Sequence, residues 1–236
     1  MSNVNYLFPL PLYKSQVNTQ QFSVLSNAAE YFTEQSREHF LNGLNIHNGQ
    51  SNTGWHSEFY RISDETPSQI NDLFHIASTH LREFIKQIIR NDERAIGFGD
   101  FDLSLETHEM GWAIINLPGD VAFSHIHTTI YRDTYACVLY LQVPDGCKGG
   151  ELRLANPDIG FRSSIGTTMA QLGLCTTYRK IKPETGNILI FPGTLPHDVL
   201  PFEAKGHRIA FACNFGIKSM SLSYLKDGCS ICKQIY

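Results

Sequence analysis

From about residue 99 the chain breaks into short β-rich runs separated by Gly, Pro, Asp and Asn. They read F-D-L-S-L-E-T, G-W-A-I-I-N-L, Y-A-C-V-L-Y-L-Q-V, G-G-E-L-R-L-A, C-T-T-Y-R-K-I-K-P, N-I-L-I-F-P and H-R-I-A-F-A-C-N-F. Several short strands with turn signals between them predict an all-β sandwich or barrel. Two helical patterns precede them. Residues 19–41 place Phe22, Leu25, Ala29 and Phe32 on one apolar face, with Thr19 as N-cap. A second helix starts at Ser63 or Pro67 and runs to about Arg90, with Ile70, Leu73, Phe74, Ala77, Leu81, Phe84, Ile85 and Ile88 at helical spacing. The proline-punctuated opening Y-L-F-P-L-P-L-Y-K reads as an extended edge strand. Helices first and strands later predict a mainly β fold with N-terminal helices outside it, in one domain. Its parts are an N-terminal strand and supporting helices over 1–98, a β core over 99–217 and a tail over 218–236.

A hydrophobic content of 42% and an aromatic content of 11% over 236 residues suffice for a proper core. The net charge of −4 gives no reason to expect a nucleic-acid partner. The first residues lack a basic stretch followed by an apolar one, and no apolar run approaches the roughly 20 residues that span a bilayer. The expectation is a soluble, cytoplasmic protein with no membrane partner. Its six cysteines then read as reduced thiols. Cys229 and Cys232 have C-x-x-C spacing but no second pair to complete a four-cysteine zinc site, so they read as two thiols in the tail.

Chemistry concentrates in three places. His125 and His127 lie in F-S-H-I-H-T-T, His197 in F-P-G-T-L-P-H-D-V-L-P, and Arg208 opens R-I-A-F-A-C-N-F. Residues two apart on a strand point to one face, so the H-x-H pair can aim two imidazoles at one metal and a distant strand can add a third. Imidazole suits iron, zinc, copper and nickel. An arginine on a neighbouring strand is a ready fork for a carboxylate. Alternation puts Arg208, Ala210, Ala212 and Asn214 on one face and Ile209, Phe211, Cys213 and Phe215 on the other. A small, polar face beside an arginine suits a barrel mouth that admits a ligand. The combination proposes a metal enzyme with a carboxylate cosubstrate.

The order of F-S-H-I-H, Y-L-Q-V-P, G-G-E-L-R-L, K-P-E-T-G-N-I-L-I-F-P, L-P-H-D-V-L-P and R-I-A-F resembles the Fe(II)/2-oxoglutarate-dependent oxygenase superfamily. With S-N-T-G-W-H-S and G-W-A-I-I-N-L-P-G, it is similar to a bacterial and phage group of 2-oxoglutarate/iron oxygenases carrying an H-x-H motif. The resemblance runs from about residue 5 to 217 and implies a double-stranded β-helix, or jelly roll, of cupin-like form. It also implies Fe(II), 2-oxoglutarate and O2 as metal and cosubstrates, with ascorbate as an assay additive, and hydroxylation with release of succinate and CO2. Carried over by residue, it makes His125, His127 and His197 metal ligands, Arg208 the partner of the distal carboxylate of 2-oxoglutarate, and Tyr140 a hydrogen-bond donor to that carboxylate. Asn116 is a further cosubstrate or substrate contact.

The superfamily usually has Asp or Glu at the place of His127, completing two histidines and one carboxylate. Asp133, Glu151 and Asp198 are other carboxylates near the motifs, without the family spacing. Two alternatives stand beside the oxygenase: a three-histidine cupin-like metalloenzyme that does not use 2-oxoglutarate, and a non-catalytic metal- or ligand-binding module. His39, His47, His56, His75, His80, His108 and His207 read as surface or core histidines, with His207 solvated. Trp55 and Trp112 read as packing residues, and the glycines at 149 and 150 as a turn. Loops 43–57 and 156–180 are expected to select a small-molecule or peptide substrate. Neither its identity nor the oligomeric state follows from these residues.

Overall fold

The period-two burial along the central strands sorts the chain into layers. The computed structural model describes residues 10–41, 54–91, 101–128, 130, 134–156, 178–226 and 229–234. In chain order its elements are β1 (Tyr13–Gln16), α1 (Thr19–Leu41), β2 (Trp55–His56), α2 (Ser68–Arg90), β3 (Phe101–Asn116), β4 (Ala122–His125), β5 (Thr134–Gln142), β6 (Lys148–Gly149), β7 (Leu152–Ala155), β8 (Tyr178–Ile181), β9 (Asn187–Pro192), β10 (His197–Val199), β11 (Phe202–Glu203), β12 (Arg208–Lys226) and β13 (Cys229–Gln234).

The larger sheet has the order β1-β9-β5-β12-β3-β2, with β13 pairing the far end of β12. Facing it is a smaller sheet, β4-β10-β7-β8, and β11 pairs β6 separately. Every pairing is antiparallel. Two facing antiparallel sheets with crossed connections are the jelly roll expected from the sequence.

One face of the large sheet carries Cys137, Leu139, Ile188, Ile190, Ile209, Phe211, Cys213 and Phe215 against both helices. The other carries Ala136, Tyr140, Leu189, Phe191 and Ala210, which pack with Leu152, Leu154 and Ile181 of the small sheet. Helix α2 comes close because Gly111 has no side chain. A Cβ there would stand 2.5 Å from Phe211 and 3.0 Å from Phe74, whose rings meet edge-to-face at 5.2 Å. Fully burying a ring such as Phe74 or Phe211 contributes about 1.5–3 kcal/mol each.

Four local expectations change in detail. Asn18, not Thr19, caps α1: its Oδ1 accepts from the Gln21 N–H while Gln21 Oε1 accepts from the Asn18 N–H. This reciprocal pair is a capping box one residue earlier than read. The runs at 101–107 and 111–117 join into the single strand β3. Strand β12 continues past Gly216 to Lys226, so the ladder extends into the segment read as a tail. His207 is not simply solvated; its ring lies 5.3 Å from that of Phe40. Cys137, Cys147 and Cys213 are free thiols. Among the described residues no helix is long and apolar enough to cross a membrane.

Candidate metal centre

The small sheet brings the distant histidines together by register. His197 on β10 pairs directly with His125 on β4, and their ring centroids are 4.4 Å apart. Strand β4 ends at His125, and the next turn of chain is held by the His127 N–H donating to Gly193 O at 2.8 Å. His127 therefore sits just past the strand end and still faces its neighbours, with its Nε2 3.1 Å from Nε2 of His197. One ligand atom from each of the three histidines lies within 4.8 Å of the others.

Backbone carbonyls orient two of the rings. His125 Nδ1 is 2.6 Å from Phe123 O, and His197 Nδ1 is 2.8 Å from Leu195 O. A carbonyl only accepts, so each Nδ1 carries the proton and each Nε2 is left with a free lone pair. Burial, then the His197 and His125 charges, push His127 down to about 3. Burial, with a smaller contribution from His125, pushes His197 down to about 4. Both are neutral imidazoles at physiological pH, the form that binds a metal. Of the carboxylates considered as substitutes, Asp198 and Glu151 do not join the cluster. Asp198 is taken up by Arg153 through two hydrogen bonds of 2.6 and 2.7 Å. Neither it nor Glu151 belongs to the histidine group, and Asp133 lies outside the described residues.

A pocket opens from the histidines into the space between the sheets, lined by Trp112, Asn116, Val138, Tyr140, Ala210 and Arg208 among others. Arg208 is 4% exposed. Its Nη1 donates to Gly150 O at 2.9 Å and its Nη2 to Asn116 Oδ1 at 2.7 Å, while Nε is buried with no partner. The guanidinium carbon lies 5.4 Å from the Phe202 ring centroid. Among the described residues no carboxylate forms an ion pair with it. Burial lowers its pKa from the ordinary value, yet arginine stays charged in proteins. A buried cation that lines the pocket, with no carboxylate partner among the described residues, calls for an anion. Tyr140 lies beside it, across from Ala210 in the β5–β12 ladder. Burial raises the Tyr140 pKa, keeping the phenol protonated and able to donate.

The structure thus gathers all six residues singled out in the sequence around one pocket. Asn116 lines the pocket as expected of a contact residue, and its carboxamide oxygen also accepts from Arg208. Gly150, read as part of a turn, does turn, at φ 73°, and its carbonyl anchors the guanidinium. That role depends on a contact spanning 58 residues and left no local signal. Asn214 was placed on the inward face, but its approach to His127 Nδ1 at 3.4 Å was not foreseen. His56, read as a surface or core histidine, has a buried Nε2 without a hydrogen-bond partner among the described residues.

A jelly roll with a histidine cluster and a buried arginine lining one cavity is the arrangement expected from the resemblance to iron- and 2-oxoglutarate-using oxygenases. Residues 110–214, from the middle of β3 into β12, match the family described as putative 2OG-Fe(II) oxygenase. No curated protein matches the chain by sequence. Among solved structures, a Pseudomonas putida prolyl-4-hydroxylase is similar at 18% identity and a TM-score of 0.52, over 88% of this chain and 92% of its own. AviO1 from Streptomyces viridochromogenes Tue57 is similar at 12% identity and a TM-score of 0.51, over 88% and 90%. The non-heme alpha ketoglutarate dependent epimerase SnoN from nogalamycin biosynthesis is similar at 8% identity and a TM-score of 0.52, over 90% and 80%. At these identities the likeness establishes the shared fold.

Proposed function

We propose that the chain hydroxylates a small-molecule or peptide substrate, with His125, His127 and His197 holding Fe(II) and Arg208 holding 2-oxoglutarate. The observation that carries this reading is that one pocket holds both a cluster of three histidines and a buried guanidinium with no carboxylate partner among the described residues. Three histidine ligands bring no negative charge to a divalent cation. A dianionic cosubstrate in the same pocket supplies it, and this favours 2-oxoglutarate over a neutral ligand.

Arg208 would take the distal carboxylate, with Asn116 and Gly150 O keeping its fork from rotating. Tyr140 would donate its phenolic hydrogen to the same carboxylate. Val138, Leu152, Ala210 and Ala212 line the pocket and keep water from its interior. The bound metal supplies the oxidative chemistry with O2, and the chain supplies orientation and a dry site. His127 occupies the position where a halide would need an empty site, which favours hydroxylation over halogenation.

The test is anaerobic addition of Fe(II) and 2-oxoglutarate, followed by air with ascorbate. A visible absorption band requiring both, then succinate release, is the expected result. Metal binding without that band supports the three-histidine metalloenzyme that does not use 2-oxoglutarate. Absence of metal binding refutes the enzyme assignment and leaves a binding module.

A further inference from the structure

His125 and His197 each have a backbone carbonyl to fix their tautomer, and among the described residues His127 has none. Its Nδ1 faces the carboxamide of Asn214, 5% exposed on the inward face of β12. Nδ2 of Asn214 is 3.4 Å from that nitrogen, and Oδ1 is buried with no hydrogen-bond partner. We propose that Asn214 is a positioning residue for the metal centre. It donates to His127 Nδ1 when no metal is bound and turns to accept from Nδ1–H when Nε2 ligates a metal. The proposal rests on the reading of His127 as a ligand.

The hydrogen-bond directions form a consistent metal-free chain. Asn214 Nδ2–H donates to His127 Nδ1, which leaves the ring proton on Nε2. His127 Nε2–H then donates to His197 Nε2 at 3.1 Å, and His197 Nδ1–H donates to Leu195 O at 2.8 Å. In this state the Nε2 lone pair of His127 does not exist. Ligation requires the ring proton to leave Nε2 and another to arrive at Nδ1 through solvent, with no net change in protonation. Nδ1–H then needs an acceptor in a buried place. A half-turn of the Asn214 amide replaces Nδ2 by Oδ1 and provides one.

An aspartate at position 127 would need no such partner, because a carboxylate has no tautomers and only accepts. The histidine there creates a requirement for a side chain that can both donate and accept. Asparagine meets it at nearly constant shape.

Two variants separate the donor from the acceptor role. Asn214→Asp keeps the acceptor and removes the donor, and Asn214→Leu removes both. Co(II) affinity is read from its d–d absorption, and the His127 tautomer from 15N-histidine spectra of metal-free and Zn(II)-loaded protein. We expect Co(II) affinity to fall about 10–100-fold in Asn214→Leu, the usual effect of losing a hydrogen-bond partner of a ligating histidine. Asn214→Asp should bind Co(II) at close to wild-type affinity. In wild type the His127 proton should move from Nε2 to Nδ1 when Zn(II) is added. Equal losses in both variants, wild-type affinity in Asn214→Leu, or an unchanged tautomer would each overturn the proposal. If Asn214→Leu does not fold, the wild-type spectra and Asn214→Asp still decide it. Wild-type protein that binds neither cation refutes the metal reading itself, a result distinct from any of these.

Discussion

Replacing Arg208 by methionine isolates the cosubstrate half of the site. Methionine fills much of the same apolar space beside Phe202 and removes only the charged fork. Within the protein the change takes from Gly150 O and Asn116 Oδ1 the donors they have at 2.9 and 2.7 Å. A buried acceptor left unpaired costs about 1–3 kcal/mol, offset by no longer burying an unpaired cation. The fold should therefore survive with a lowered melting temperature. Toward 2-oxoglutarate there is no such offset. Removing one partner of a buried, hydrogen-bonded charge pair costs about 2–5 kcal/mol. That corresponds to a dissociation constant raised about 30-fold to several thousand-fold. The assay is anaerobic calorimetric titration of 2-oxoglutarate into Mn(II)-loaded protein, with Mn(II) affinity measured separately. Metal affinity should hold, because Arg208 touches none of the histidines. Unchanged 2-oxoglutarate affinity would refute the reasoning, and joint loss of metal and cosubstrate would show that the two halves are not separable.

Three further outcomes follow from the geometry. Gly150→Ala combines a backbone at φ 73° with a Cβ 3.0 Å from Arg208 Nη1, so it should lose about 1–2 kcal/mol of stability in urea melts and also weaken 2-oxoglutarate binding. Stability loss without an affinity change would mean the guanidinium is not positioned by this turn. Asp198→Asn should destabilise the β7–β10 pair by about 1 kcal/mol through the loss of its partly buried ion pair, leaving Mn(II) affinity intact; loss of metal would reinstate Asp198 as a ligand. The metal-free protein should weaken as pH falls below about 6.5, where the unfolded chain binds protons that folded His127 and His197 refuse until about 3 and about 4. From His197 this amounts to about 2 kcal/mol by pH 5, measurable as a lower urea midpoint that flattens in His197→Gln. A midpoint slope identical in the variant would contradict it.

The parts of this architecture that could be read from sequence share one property: their signal is local or periodic. The inward and outward residues of β12 follow from alternation alone, and helix α2 from its apolar spacing. His125 and His197 stand out because the motifs around them come in the order of an oxygenase barrel. Gly150 and Asn214 were legible as residues but not in their roles, and Asn116 not in its bond to Arg208. Each acts through a side-chain or carbonyl contact between strands that meet only in the folded sheet. The capping of α1 by Asn18 was missed for a smaller reason, since Asn18 and Thr19 are both good caps and only the reciprocal bond with Gln21 separates them. The segments 42–53 and 157–177, which include most of the loops expected to select the substrate, lie outside the described residues.

Strand β12 gives its even-numbered residues from Arg208 to Ala212 to the cavity and its odd-numbered ones from Ile209 to Phe215 to the helices. The cavity wall and the helix-facing core are therefore built from interleaved positions of one strand. Ala212 lines the cavity outside both core clusters, so an exchange there reshapes the cavity while Phe211 and Phe215 keep the sheet seated on α1 and α2. A lineage, or an engineer, can change what such a protein accepts there without first rebuilding the helix-facing core.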